Sequence, residues 1–257
     1  MEDSPPKRRG KPLAWSHHNT KIESTVHDLT TAELNVVFQP IVSLADGSTF
    51  AWESLVRCTR AGLESPPELF RRAEVEQSCG RLGRLIREVA FQRGVGRRLF
   101  INVHPAELAA RWLVQPDDPM NFHDAEVFME ITESATFEHF ELCWNALREL
   151  RQRSAVRFVI DDFGAGHSNL KRVLDLEPAV VKLDCSLIQG IDQSPRQFTL
   201  VRSLVRMFGD LGASVVAEGI ETLAELKRVR DAGVHYGQGY FLARPAWPLP
   251  VVQWPFR

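Results

Sequence analysis

No stretch of this sequence carries the run of about twenty apolar residues that crosses a bilayer, and no short apolar segment behind a basic start marks a secretory signal. Cysteine is scarce: four in 257 residues, at 58, 79, 143 and 185, with no C-x-x-C pair. That spacing argues against both a disulfide framework and a zinc ribbon. Neither sign of charge is in excess, because 31 basic residues face 33 acidic ones for a net −2. A general nucleic-acid binder would be strongly basic. What remains is an ordinary globular composition, 44% hydrophobic and 25% charged, of a length that suits one large α/β barrel or two small domains. The chain reads as soluble and cytoplasmic, with no membrane insertion and no nucleic-acid polymer as partner.

The opening is polar, proline-bearing and locally basic, so residues 1–30 read as a flexible tail. Beyond it, short β-prone runs alternate with amphipathic helical stretches, and one domain is expected over 31–250. Eight candidate strands appear: "NVVFQPIV", "TFAWESLVR", "LFINVHP", "VFMEITES", "RFVIDDFG", "VVKLD", "SVVAEGIE" and "GQGYFLARP". One long helical stretch is expected over 68–94. Another carries Phe198, Leu200, Val201, Leu204, Val205 and Phe208 at three- and four-residue spacing, and Gly212 and Gly233 stand where C-caps belong. Only "SLADG" separates the first two strands, a hairpin connection, so these are expected to be antiparallel. The later strands are separated by helices and should be parallel. The sum is an α/β fold, a modified (β/α)₈ barrel with one antiparallel strand near its N-terminus.

The ends of those strands carry Glu53, Asn102, Glu130, Asp161 with Asp162, Lys182, Glu218 and Gln238. A polar residue at one strand end is usually a cap or turn former. Seven successive strands ending this way point instead to a shared rim, where barrels build their sites. Oxygen-rich and without convergent Cys or His, the set suits Mg²⁺ or Mn²⁺ rather than zinc. Adjacent Asp161 and Asp162 repel each other at the end of a buried strand, and two divalent cations would neutralise them; Asp161 would bridge both ions. Two metals about 3.5–4 Å apart clamp attacking and leaving oxygens at phosphorus. Lys182 reads either as a positive group holding water or phosphate oxygen, or as a structural salt bridge to Asp184 or another carboxylate. Glu218 reads as general base or further ligand. The glycine-rich "DFGAGHSN" is either a gate over substrate or an ordinary turn. Its "DFG" also occurs in protein kinases, but no H-R-D loop and no G-x-G-x-x-G loop accompany it.

Taken together, "FQPIV", "WESLVR", "INVHP", "MEITES", "DDFGAG", "VVKLD", "VVAEGIET" and "YGQGYFLARP" resemble the EAL-domain family of cyclic di-GMP phosphodiesterases, over about residues 34 to 245. The resemblance implies hydrolysis of cyclic di-GMP to linear pGpG. It implies one metal on Glu53, Asn102, Glu130 and Asp161, and a second on Asp161 and Asp162 near Glu218. Lys182 would position the attacking water and Glu218 would act as base. Glu133 would brace the "DFGAGHS" loop, and Glu221 and Gln238 would support the metal–water cluster. Gln39, Leu55 and Arg57 would contact substrate, the arginine through a phosphate.

Four positions depart from the family's pattern. Ser54 stands for the usual alanine, Cys58 for a tryptophan that would wall the substrate, and His167 and Asn169 for tyrosine and serine in the loop. No metal ligand is lost. The alternatives are a catalytically silent or partner-gated cyclic di-GMP receptor, and a phosphodiesterase for another phosphoester. Expected partners are cyclic di-GMP, a second copy of the chain and a separate regulatory protein. Mg²⁺ or Mn²⁺ should support turnover, and Ca²⁺ poorly.

Overall fold

The computed structural model describes residues 25–132, 140–153, 156–166 and 170–256. Eight strands close into a barrel in chain order. β1 (Leu34–Ser43) and β2 (Thr49–Cys58) form the expected antiparallel pair. β3 (Leu99–Asn102), β4 (Val127–Thr132), β5 (Val156–Phe163), β6 (Val180–Leu183), β7 (Ser214–Ala217) and β8 (Tyr236–Gly237) then run parallel to β2, and β8 closes antiparallel on β1. The helices are α1 (Pro66–Val75), α2 (Cys79–Arg93), α3 (Pro105–Ala109), α4 (Phe140–Arg153), α5 (Leu170–Leu176), α6 (Cys185–Ile188), α7 (Pro195–Asp210) and α8 (Leu223–Asp231). No helix among the described residues is long and apolar enough to cross a membrane. All four cysteines are unpaired thiols.

The barrel's interior is layered, and the cause is the two-residue period of a strand. Ile41, Ala51, Phe100, Phe128, Val159, Val180 and Val216 form an apolar cluster of their own, with Phe50 and Tyr236 packed against it. Two residues further toward the upper rim on each strand stand Gln39, Glu53, Asn102, Glu130, Asp161, Lys182, Glu218 and Gln238. Phe100 and Phe128 stack at 4.5 Å, and Phe50 stacks on Tyr236 at 4.0 Å. The aromatic floor therefore plugs the barrel below a polar ring. Truncating Phe100 would remove a fully buried ring, worth about 3–5 kcal/mol at such sites.

The structure differs from the sequence reading in four places. The expected helix over 68–94 is two helices, broken where Gln77 takes a left-handed φ of 53°. At the break, Glu76 accepts hydrogen bonds from Thr25 Oγ1 (2.7 Å) and the Val26 amide (2.8 Å). Residues 25–30, read as tail, are thus seated on the barrel, with Val26 and Leu29 fully buried. The eighth strand is only two residues long and starts earlier than expected. The following segment supplies what it lacks: Phe38 and Ala246 exchange backbone hydrogen bonds at 3.0 Å, and Trp254 packs over Gly47. Finally, Cys58 is buried among the apolar side chains outside the barrel rather than at a substrate wall, because even-numbered residues of β2 face the helices. Gly212 and Gly233 do take the left-handed conformation after α7 and α8, at φ 83° and 84°.

Candidate metal centre

Lys182 lies at the centre of the ring, 1% exposed. Its Nζ is 2.6 Å from Glu130 Oε1, 2.7 Å from Glu218 Oε1, 2.9 Å from Asp161 Oδ1 and 3.7 Å from Glu53 Oε2. Burial alone would lower its pKa; Asp161, Glu130, Glu218 and Glu53 outweigh that and hold the ammonium well above its ordinary value. The alternative pairing with Asp184 does not occur: that carboxylate caps α6, accepting from the Ser186 amide at 2.9 Å.

The two adjacent aspartates reach the same place through a bulge. Strand alternation would send Asp162 out toward the helices. Between Ile160 and Phe163, however, the register of β5 against β6 shifts, and Asp162 takes φ 55°. This is a β-bulge with a non-glycine residue in the left-handed region, a conformation that costs of order 1–3 kcal/mol and concentrates at functional sites. Its result is a cluster in which oxygens of Asp161, Asp162 and Glu218 lie within 4.8 Å of one another. Burial first, and the charge of Asp161 next, push Asp162 up to about 6. Burial, opposed by Lys182 and reinforced by Asp161 and Glu53, pushes Glu218 up to about 8. Glu130 is driven well above the carboxylate range by burial, despite Lys182.

A second line of contacts fixes the other wall. Gln39 Nε2 donates to Ala243 O and Gln238 Nε2 donates to Gln39 Oε1, both at 3.0 Å. Gln238 Nε2 also donates to Glu53 Oε2, and Asn102 Nδ2 donates to Glu53 Oε1 at 3.3 Å. Ser54 is buried, and its hydroxyl donates to Phe100 O at 3.0 Å. The close approach that permits this wall is at Gly239, where a Cβ would stand 2.1 Å from Ile220 O and 2.3 Å from Ile220 N.

Most residues expected at the site converge there: Gln39, Glu53, Asn102, Glu130, Asp161, Asp162, Lys182, Glu218 and Gln238. Leu55 is half-buried and Arg57 exposed, its Nη1 donating to Val56 O at 2.7 Å. Glu221 is exposed, and its amide donates to Glu225 Oε2 at 3.0 Å. Glu133, His167 and Asn169 lie outside the described residues. Glu225 was missed by the sequence reading. It is buried, caps α8 reciprocally with Thr222, and accepts from the Gly190 amide at 3.0 Å, tying the loop after β7 to the loop after β6. The T-x-x-E spacing at 222–225 is the signal that reveals it.

The residues fit a divalent cation. Every donor is an oxygen, which suits Mg²⁺ or Mn²⁺, and Glu130 Oε2 is buried without a hydrogen-bond partner. A buried carboxylate oxygen so placed is costly unless something positive meets it.

The EAL domain family matches residues 23–245 of this chain. An uncharacterized protein of Azorhizobium caulinodans is 32% identical over 252 residues, covering 90% of this chain and 34% of that protein. The cyclic di-GMP phosphodiesterase RocR of Pseudomonas aeruginosa is 29% identical over 237 residues, covering 87% of this chain and 60% of RocR. The chain therefore spans about a third of the first of these relatives and three fifths of the second. Among solved structures, Klebsiella pneumoniae BlrP1 in complex with manganese and cyclic di-GMP matches with TM-score 0.72 at 31% identity, over 83% of this chain and 56% of that one. A standalone EAL protein from Vibrio cholerae, bound to c-di-GMP, matches with TM-score 0.64 at 27% identity, over 86% of this chain and 95% of that one.

Proposed function

The chain belongs to the EAL domain family, and from that premise we propose that it hydrolyses cyclic di-GMP to linear pGpG. In the reaction a water oxygen bonds to phosphorus, one P–O3′ bond breaks, and the 3′ oxygen leaves carrying a proton. The observation that carries this reading is the single ammonium of Lys182 ringed by carboxylates at the mouth of a closed barrel. Five carboxylates (Glu53, Glu130, Asp161, Asp162, Glu218) against that one ammonium leave four negative charges, the amount two divalent cations balance. When bound by these five and Asn102, Mg²⁺ or Mn²⁺ would polarise a phosphoryl oxygen and acidify the attacking water.

The chain's own groups then have distinct roles. Glu218, with an oxygen within 4.8 Å of those of Asp161 and Asp162, stands where a base would take the water's proton. Lys182 donates to oxygen that gains negative charge. Gln238 orients Glu53, and Gln39 in turn holds Gln238. Arg57, exposed at the end of β2, meets a phosphate of the nucleotide, with Leu55 beside it. Glu221 is assigned to the support of the rim after β7.

Around this centre we place a cytoplasmic protein that answers to a separate regulatory protein and pairs with a second copy of itself. The groove between α5 and α7, where Leu170, Leu174 and Leu211 are exposed beside Met207, offers a face for that copy. Ca²⁺ should support turnover poorly, because its longer and looser coordination displaces the attacking water. The test of the main reading is incubation with cyclic di-GMP and Mn²⁺ or Mg²⁺, following pGpG by chromatography beside Glu53→Ala. Product from the wild type alone is expected. Nucleotide bound but left intact would favour the receptor instead.

A further inference from the structure

A second cluster of charges lies behind the rim, away from the mouth of the barrel. Arg87 of α2, Glu107 of α3 and Asp118 of the following loop are each at most 1% exposed. Arg87 Nη1 donates to Glu107 Oε2 at 2.6 Å, while its Nε and Nη2 grip both oxygens of Asp118 at 3.1 and 2.7 Å. Taking such groups from water costs several kcal/mol per ion, and apolar residues of similar volume commonly fill the space as stably. The network therefore calls for a purpose beyond packing, and the remaining oxygen of Glu107 shows one. Oε1 accepts from the backbone amide of His104 at 3.1 Å.

That amide lies two residues after Asn102, at the corner where β3 leaves the barrel. The ladder bond from Val103 N to Glu130 O at 3.1 Å is the last on that side. Past it, the corner is held by Glu107 and by the His104 ring, which accepts from Ala106 N at 3.2 Å. The helix α2 leaves room for this arrangement only because residue 83 is glycine. A Cβ there would stand 2.0 Å from Glu107 Oε2, and Glu107, buried and held at both oxygens, has nowhere to move.

We propose that the Arg87–Glu107–Asp118 network is a positioning device for Asn102, fixing the β3 corner so that its side-chain oxygen is presented to the divalent cation; this rests on the metal-binding reading above. Arg87 and Glu107 are not among the candidate ligands and act through the His104 amide. Gly83 belongs to the device as the gap that admits the carboxylate.

The test measures Mn²⁺ affinity of the full chain without nucleotide, by electron paramagnetic resonance of unbound Mn²⁺. Gly83→Ala displaces the Glu107 carboxylate without changing any charge, and Glu107→Gln keeps its shape while weakening its grip. Each should weaken Mn²⁺ binding about tenfold, the lower end of what outer supports of metal ligands contribute. In an Asn102→Ala background neither should weaken it further, because the interaction they serve is already gone. Val205→Ala, in α7 on another side of the barrel, provides a destabilised control that keeps wild-type affinity. Unchanged Mn²⁺ affinity in both variants, or equal losses with and without Asn102, would overturn the positioning role alone. No Mn²⁺ binding by the wild type would overturn the metal-binding reading and this inference with it.

Discussion

Lys182 and the carboxylates around it hold each other in place, and neither side is tolerable without the other. Replacing Lys182 by Met leaves Glu130, Asp161 and Glu218 facing one another without the ammonium. Turnover of cyclic di-GMP by Lys182→Met should fall by about 10²–10³, the scale of removing one preorganised donor, as read by initial rates at saturating Mn²⁺. The same crowding sets a pH dependence in the metal-free protein. Glu218 and Asp162 are pushed up to about 8 and 6, whereas unfolded carboxyls titrate near ~4. The folded chain then binds protons that the unfolded chain has released, so stability falls as pH rises across that window. Thermal unfolding in EDTA should show the wild-type Tm falling relative to that of Glu218→Gln from about pH 5 to pH 8. A wild-type Tm that rises relative to this variant over the range would contradict the raised proton affinity of Glu218.

At the scale of elements, two irregularities do what regular strands cannot. The bulge in β5 turns Asp162 back beside Asp161, and the segment after β8 completes a seam that two residue pairs alone would hold weakly. Gly239 lies in that segment, against the backbone of Ile220. Backbone atoms have no rotamer to change, so Gly239→Ala should lower stability by about 1–3 kcal/mol, measured by urea denaturation. It should also loosen Gln238, raising KM for cyclic di-GMP. Wild-type stability in this variant would mean that the seam yields more easily than its close contacts indicate.

For the whole molecule, the described strands close on one another, so the proposed pairing would use the surface around the barrel. Leu174 and Leu211 on the α5–α7 face are 59% and 49% exposed, which makes this face the place to test for the proposed second copy. Light scattering should find a particle near twice the 29.1 kDa chain mass, and Leu174→Glu with Leu211→Glu should return it to one. A wild-type mass near 29.1 kDa would remove the second copy from the account.

Much of this protein was written along the chain. Strand alternation and chain order bring Glu53, Asn102, Glu130, Asp161, Lys182, Glu218 and Gln238 to one rim, because parallel strands all end on the same face of a barrel. The period of two that sends Cys58 outward is equally local. What only the tertiary structure decided are the contacts that cross long separations or break the local period. Arg87 meets partners 20 and 31 residues away, and nothing in its neighbourhood announces a buried ion network. The facing of Asp162 depends on how β6 pairs with β5, since a bulge is a property of two strands. Likewise, the raised proton affinity of Glu218 comes from burial and from charges on other strands, which exist as its neighbours only once the barrel has closed.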